Sequence, residues 1–162
     1  VKHIIIYKQY PDILQLYIDE YTPFAILKIR DGCLLLSEDG KILKKLRTLD
    51  PLQLPLISYY QQFGYTDFNA GELIAFIDIS YTLSFLKVAK DMGLIIDSID
   101  ITGMNMIALK TKDKTYVFST DKDRNLQIYQ FKTLIEQLQV RGQFYISLDF
   151  RFSKPVIQTQ EK

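Results

Sequence analysis

Most of this chain reads as short strands of aliphatic and aromatic residues set between turn signals, and only twice does an apolar stripe take the period of a helix. The first helical stretch runs from Gly71 to Met92. Phe76, Ile79, Leu83, Leu86 and Ala89 or Lys90 fall on one stripe, Asn69 is placed to cap its start, and Gly93 to end it. Asp78, Lys87 and Asp91 lie off the stripe. That mixed charge fits a helix packed on a sheet, without the basic bias of a membrane-surface helix. The second stretch covers Leu126–Val140, with Ile128, Phe131, Ile135 and Leu138 on one face and Gly142 at its end. Everything else that is regular reads as strand. The pattern excludes an all-helical bundle and predicts an α+β domain whose sheet is mixed and mainly antiparallel, with two helices laid on it.

The strands follow from turn chemistry. Lys2–Lys8 and Ile13–Asp19 flank Tyr10-Pro11-Asp12 and predict a hairpin. After Glu20-Tyr21-Thr22-Pro23, Phe24–Arg30 and Cys33–Ser37 flank Asp31-Gly32, and Glu38-Asp39-Gly40 leads into a short strand from Lys41. Residues 46–69, with Pro51, Pro55 and the pair Tyr59-Tyr60, read as a long irregular connection. Within it, Leu54-Pro55-Leu56-Ile57 is expected to form an apolar tether over the end of a sheet. After the first helix, Leu94–Ile101, Met104–Lys110 and Thr115–Thr120 predict a three-stranded meander, and Asp121–Asn125 a polar loop.

The last strand is expected to be continuous from Phe144 to Ile157. Ile146, Leu148, Phe150 and Phe152 alternate with Tyr145, Ser147, Asp149 and Arg151, until Pro155 withholds a backbone donor. A strand added last to a sheet already built is a candidate edge, and an edge accepts a strand from another protein. The competing reading is a strand that only closes the core.

The chemistry of catalysis is hard to find. Residues with metal-binding or nucleophilic side chains are few: one histidine, His3, and one cysteine, Cys33, which reads as a small buried apolar group. No internal disulfide can form. No Gly-rich phosphate loop, zinc-protease helix or nucleophile elbow appears. Asp121-Lys-Asp-Arg-Asn125 resembles the start of a calcium loop but lacks its glycine and distal glutamate. Asp31, Asp39, Asp113 and Asp121 are explained as turn residues. Twenty Lys and Arg against 19 Asp and Glu leave none of the basic excess of a nucleic-acid binder. The cluster Lys41, Lys44, Lys45 and Arg47 reads as an edge strand guarded by lysines rather than a phosphate site. With 48% hydrophobic residues the chain can bury a real core, yet no run approaches a membrane span. The start at Val1, already in a strand and without Met, leads to the expectation of a fragment. No enzymatic activity, cofactor or metal is expected, and function by protein–protein contact is what remains.

Three passages, in order, resemble the extracytoplasmic region of the FtsQ/DivIB family of bacterial cell-division proteins. Tyr10-Pro11-Asp12-Ile13-Leu14-Gln15-Leu16-Tyr17-Ile18-Asp19-Glu20-Tyr21-Thr22-Pro23-Phe24-Ala25 is similar to the passage where that family's small POTRA domain hands over to its β domain. Asp39-Gly40 followed by Leu54-Pro55-Leu56-Ile57 is similar to a second family motif, and Asp149-Phe150-Arg151-Phe152 to a third in its last strand. Ile13 stands where the family usually has Thr, and Phe150 where it usually has Leu.

The resemblance implies a POTRA remnant over residues 1–22, a β domain over 23–155 and a flexible tail over 156–162. It implies a non-enzymatic scaffold on the outer face of the cytoplasmic membrane at the division septum, anchored through a segment outside this chain. Its partners would be FtsB (DivIC) and FtsL, with no nucleic acid and no small-molecule substrate. The partner strand would be received by Tyr145, Ser147, Asp149, Arg151, Phe152, Ser153 and Lys154. Among these, Phe152 would act as apolar anchor and Arg151 as a fork for a carboxylate. Two other readings stand beside it: a POTRA-associated, chaperone-like strand-binding module of a transport system, and a small enzyme with an unrecognised site.

Overall fold

A computed structural model describes residues 1–48, 53–103 and 105–159 of the chain. Pro51, Met104 and the end of the expected tail, residues 160–162, lie outside the described residues. The architecture is α+β, as the hydrophobic periods predict. A nine-stranded mixed sheet, mostly antiparallel, carries two helices, and a separate two-stranded sheet precedes it.

That separate sheet is the hairpin of β1 (His3–Gln9) and β2 (Ile13–Asp19), in register from His3 opposite Asp19 to Gln9 opposite Ile13. Both of its faces are apolar. Ile4, Ile6, Leu14, Leu16 and Ile18 share one face, and Ile5, Tyr7, Ile13 and Tyr17 the other, all more than half exposed. An isolated two-stranded hairpin is at best marginally stable in water.

The main sheet runs β11-β10-β9-β8-β7-β6-β3-β4-β5. Strands β3 (Ala25–Ile29), β4 (Gly32–Leu36) and β5 (Ile42–Leu46) form an antiparallel meander. The turn into β4 needs glycine, since a Cβ on Gly32 would lie 2.2 Å from the Leu46 carbonyl oxygen. Strand β6 (Leu56–Tyr59) then returns beside β3, parallel to it. Helix α1 (Ile77–Asp91) carries the chain to β7 (Ser98–Thr102), parallel to β6. Strands β8 (Met106–Lys110) and β9 (Thr115–Ser119) continue antiparallel. Helix α2 (Arg124–Arg141) crosses to β10 (Ser147–Asp149), parallel to β9, and β11 (Val156–Gln158) closes the order antiparallel to β10. Helical crossovers thus make two of the parallel pairs, as parallel pairing requires.

Both helices lie on one face of the sheet. Ile79, Leu83, Phe85, Leu86 and Ala89 of α1 and Phe131, Ile135 and Leu138 of α2 meet Ile57, Ile99, Ile101, Ile107, Leu109, Tyr116, Phe118 and Leu148 from the strands. The centre is aromatic. Phe118 stacks on Phe85 at 4.1 Å between centroids and on Phe150 at 5.0 Å, with Phe131 edge-on at 5.2 Å, and all four are fully buried. The fully buried Gln127 of α2 imitates a neighbouring strand. Its Nε2 donates to the Ser119 carbonyl at 2.7 Å, and its Oε1 accepts from the Ser119 N–H at 2.9 Å. On the opposite face a smaller cluster of Ile26, Cys33, Leu35 and Leu46 is capped by Leu43, Leu54 and Leu56. Cys33 is buried there, in the role of a small apolar side chain.

Four expectations are corrected. The first helix begins at Ile77, not Gly71, and Asn69 does not cap it. Residues 71–74 instead lie along β5. The Ile42 N–H donates to Glu72 O and the Ile74 N–H to Gly40 O, while Asn69 closes a local turn on Glu72. Main-chain pairing outweighs a local helical period. Second, the tether over 54–57 contributes a central strand, β6. Flanked by parallel strands on both sides, it lacks the alternation of a half-buried strand. Third, the meander begins later than expected, at Ser98 rather than Leu94. Fourth, the continuous strand 144–157 is two strands. The chain leaves β10 after Phe150, turns through residues 151–154 and comes back as β11, so Val156–Gln158 is paired strand and not tail.

Phe118→Ala is expected to lower stability by about 3–5 kcal/mol, the usual cost of emptying an aromatic site in a core, measured by urea denaturation. A loss below about 1 kcal/mol would mean that the stack relaxes around the cavity.

Candidate functional site

The two edges of the main sheet differ. At β5 the chain guards its own edge. Residues 71–74 lie along it, with Lys41 bridged to Leu73, and the Lys45 ammonium donates to the Phe68 carbonyl at 2.6 Å. Lys45 and Arg47 also sit over the Tyr65 ring, at 4.3 and 3.8 Å from its centroid, and Lys41 over Tyr21 at 4.7 Å. Lys41, Lys45 and Arg47 of the basic cluster are therefore engaged with aromatic rings or a carbonyl.

The β11 edge is open. Nothing among the described residues pairs with its far side. Which of its groups face outward follows from β10. Thr115 N–H donates to Ile146 O, and Phe150 N–H to Val117 O, so within β10 Leu148 addresses β9, while the Ile146 N–H, just before the strand, donates to Gln158 O of β11. Ser147 and Asp149 then address β11, where they pair with Gln158 and Val156. This leaves the N–H and C=O of Ile157 pointing away from the sheet, beside Pro155, which has no N–H to offer. The Ile157 side chain continues the row of Leu148 and is 39% exposed, so an added strand would extend both the ladder and the core face.

The residues expected to receive a partner fall into three groups. Tyr145 and Ser147 are turned to the protein itself. The Tyr145 hydroxyl lies 3.2 Å from that of Tyr116, and burial together with this contact pushes Tyr116 ionisation far above the usual range. The Ser147 hydroxyl donates to Gln158 Oε1 at 3.0 Å and ties β10 to β11. Asp149 and Arg151 form a fork. Arg151 Nε lies 3.0 Å from Asp149 Oδ1 and Nη2 lies 2.6 Å from Oδ2, while the Arg151 N–H also donates to Oδ1 at 2.9 Å. The guanidinium therefore lies against the sheet, with Nη1 3.4 Å from the Met106 sulfur. Burial acts to raise the Asp149 pKa, but the bonds and charge of Arg151 outweigh it and hold the carboxyl below its ordinary value.

The third group, Phe152, Ser153 and Lys154, makes the exposed turn between β10 and β11. Gln130 Nε2 reaches the Ser153 carbonyl at 3.3 Å and ties this turn to α2. Phe152 is 52% exposed. The turn takes it off the alternation that predicts a core position, and its ring lies beside the Arg151 guanidinium, 5.8 Å from the ring centroid. Alternation did not reveal the outward-facing residue Ile157, because the break after Phe150 resets the phase of the strand.

Among the described residues no cluster of three or more His, Cys, Asp or Glu side chains is placed to hold a metal, and no helix is long and apolar enough to cross a membrane. No protein-family model matches the chain, and a comparison with curated proteins finds no significant relative.

Asp149→Asn is expected to free the Arg151 guanidinium. The lowered pKa of Asp149 means that the pair is complete above the ordinary carboxylate range and is lost as pH falls through the depressed value. The Arg151 Nε–H, followed by NMR, should therefore exchange more slowly in the wild type than in the variant at neutral pH, and this protection should vanish as pH falls through the depressed value. Equal exchange in both proteins would show that the fork does not persist in solution.

Proposed function

We propose that this chain is the extracytoplasmic part of a non-enzymatic cell-division scaffold of the FtsQ/DivIB kind. It binds the FtsB/FtsL (DivIC/FtsL) complex by strand addition and takes part in the control of septal peptidoglycan synthesis. The observation that carries this reading is the β11 edge, where among the described residues Ile157 offers an unpaired donor and acceptor next to the exposed Phe152. The order of the three motifs along the chain supports it, as does an α+β sheet with two helices on one face.

In this reading β1 and β2 are the closing hairpin of a POTRA domain, whose remainder covers the two apolar faces. The scaffold is anchored in the cell membrane by a segment outside this chain, at the septum. Partner recognition then combines three contributions. The ladder at Ile157 gives affinity through the main chain. Phe152 supplies apolar anchorage. Arg151 can serve a partner carboxylate only by leaving Asp149, so its contribution is the difference between two ion pairs.

The same edge would serve a chaperone-like module that captures unfolded strands, and the partner separates the two. Wild-type protein is expected to retain the extracytoplasmic FtsB/FtsL pair in a pull-down and not an unfolded outer-membrane strand peptide. Ile157→Pro removes only an outward N–H from the backbone, at a position where an edge strand tolerates proline. It is expected to weaken retention at least about tenfold, with the melting temperature little changed. Phe152→Ala and Arg151→Glu should also weaken it. Equal binding by all variants would overturn the site, and no binding by the wild type at about ten to a hundred micromolar would overturn the scaffold reading.

A further inference from the structure

Strands β3 and β6 lie side by side and run the same way, with Ile26 opposite Leu56 and Leu27 opposite Ile57. The strands that follow them lie on opposite sides of the pair. Strand β3 turns through Arg30 and Asp31 into β4, toward the β5 edge, whereas β6 leads through α1 to β7, toward the β11 edge. The segment after β6 crosses the carboxyl end of β3, where the Arg30 N–H meets the Phe63 carbonyl, and leaves a gap beside it. A crevice of about 270 Å³ opens at this point, between Lys28, Ile29 and Arg30 on one side and Ser58, Tyr59, Gln61 and Gln62 on the other.

Its walls are fixed. The Arg30 N–H donates to the Phe63 carbonyl at 2.9 Å, which holds the segment after β6 against the end of β3. The Tyr59 hydroxyl is turned away to Asp78 Oδ2 at 2.7 Å, and its ring stacks against Phe63. Ile29 is buried and forms an apolar floor. The lining donors point the other way in character. Lys28 and Arg30 form no ion pair among the described residues, whereas Lys87, Lys110 and Arg151 each have a carboxylate partner. The Gln61 amide makes only a long contact to the Tyr60 hydroxyl, at 3.4 Å. Asp100, opposite Ser58 in the neighbouring strand, is held by Lys110 at 2.5 Å and does not neutralise the site.

We propose that this crevice binds a small ligand through an oxyanion group, phosphate or carboxylate. The Arg30 guanidinium would accept it as a fork, Lys28 would add a point charge, and the Ser58 hydroxyl and the two glutamine amides would supply neutral donors. The site lies on a different part of the sheet from the β11 edge and does not depend on the scaffold reading.

The test uses the whole chain, with inorganic pyrophosphate and citrate as probes, followed by amide chemical shifts. Saturable shifts confined to residues 28–30 and 58–62 are expected from at least one probe, and the probe that saturates identifies the oxyanion. Arg30→Gln, at an exposed position, should weaken that binding about tenfold, since it removes a hydrogen bond to a charged group. Lys44→Gln, on the distant β5 edge, should leave it unchanged. Absence of saturation with both probes would overturn the proposal. So would equal losses in the two variants, because the anion would then be following overall charge rather than a site.

Discussion

The main sheet depends on what Phe118 touches. Its ring lies between Phe85 of α1 and Phe150 at the end of β10, with Phe131 of α2 edge-on. One side chain thus joins both helices, the middle of β9 and the point where the last pair of strands begins. Flat rings bury large areas and prefer a few offset or edge-on geometries, so such a cluster sets position as well as affinity. Gln127 adds the polar complement, bonding both main-chain groups of Ser119 next to Phe118 in a place where an unpaired group would be costly. The place at which β10 ends, and hence the turn that exposes Phe152, follows from the burial of Phe150 in this stack.

The same constraint makes the sheet asymmetric. Its β5 edge is closed by the chain itself, through residues 71–74 and the cations stacked on Tyr65. Its β11 edge is three residues long and has no pairing strand among the described residues. Edges left open expose a protein to unwanted pairing, and short strands limit that exposure. An edge of one outward residue, bounded by Pro155, limits what can pair with it to a short segment. Arg151 shows a similar economy: its fork is occupied by Asp149 until something displaces it.

Much of the fold was legible in the residues. The hairpins at Tyr10-Pro11-Asp12 and Asp31-Gly32, the meander from β7 to β9 and the apolar stripe of α2 all rest on local chemistry that sequence displays directly. Three features were hidden for separate physical reasons. Residues 71–74 have helical spacing but pair with residues 40–42 at the start of β5. Leu56–Tyr59 shows no alternation because parallel neighbours flank it on both sides. The turn at 151–154 interrupts a run whose composition reads as uninterrupted strand. Of the candidate site, only its general location was legible, since alternation placed Phe152 on the core face and the turn exposes it. The edge residue Ile157 and the Asp149–Arg151 fork were not, since both depend on where the strand breaks.

By itself the sequence determined the class of the molecule. Two helical periods in a chain otherwise of short strands, a core of apolar residues and balanced charge leave room for an α+β domain with little catalytic chemistry on view. Only the tertiary structure decided which strand lies at which edge, which cations have a carboxylate partner among the described residues, and where the ends of β3 and β6 leave a crevice. Periodicity and turn chemistry are local, whereas edges, pairs and crevices are made by residues distant in the chain that meet only when the sheet is assembled.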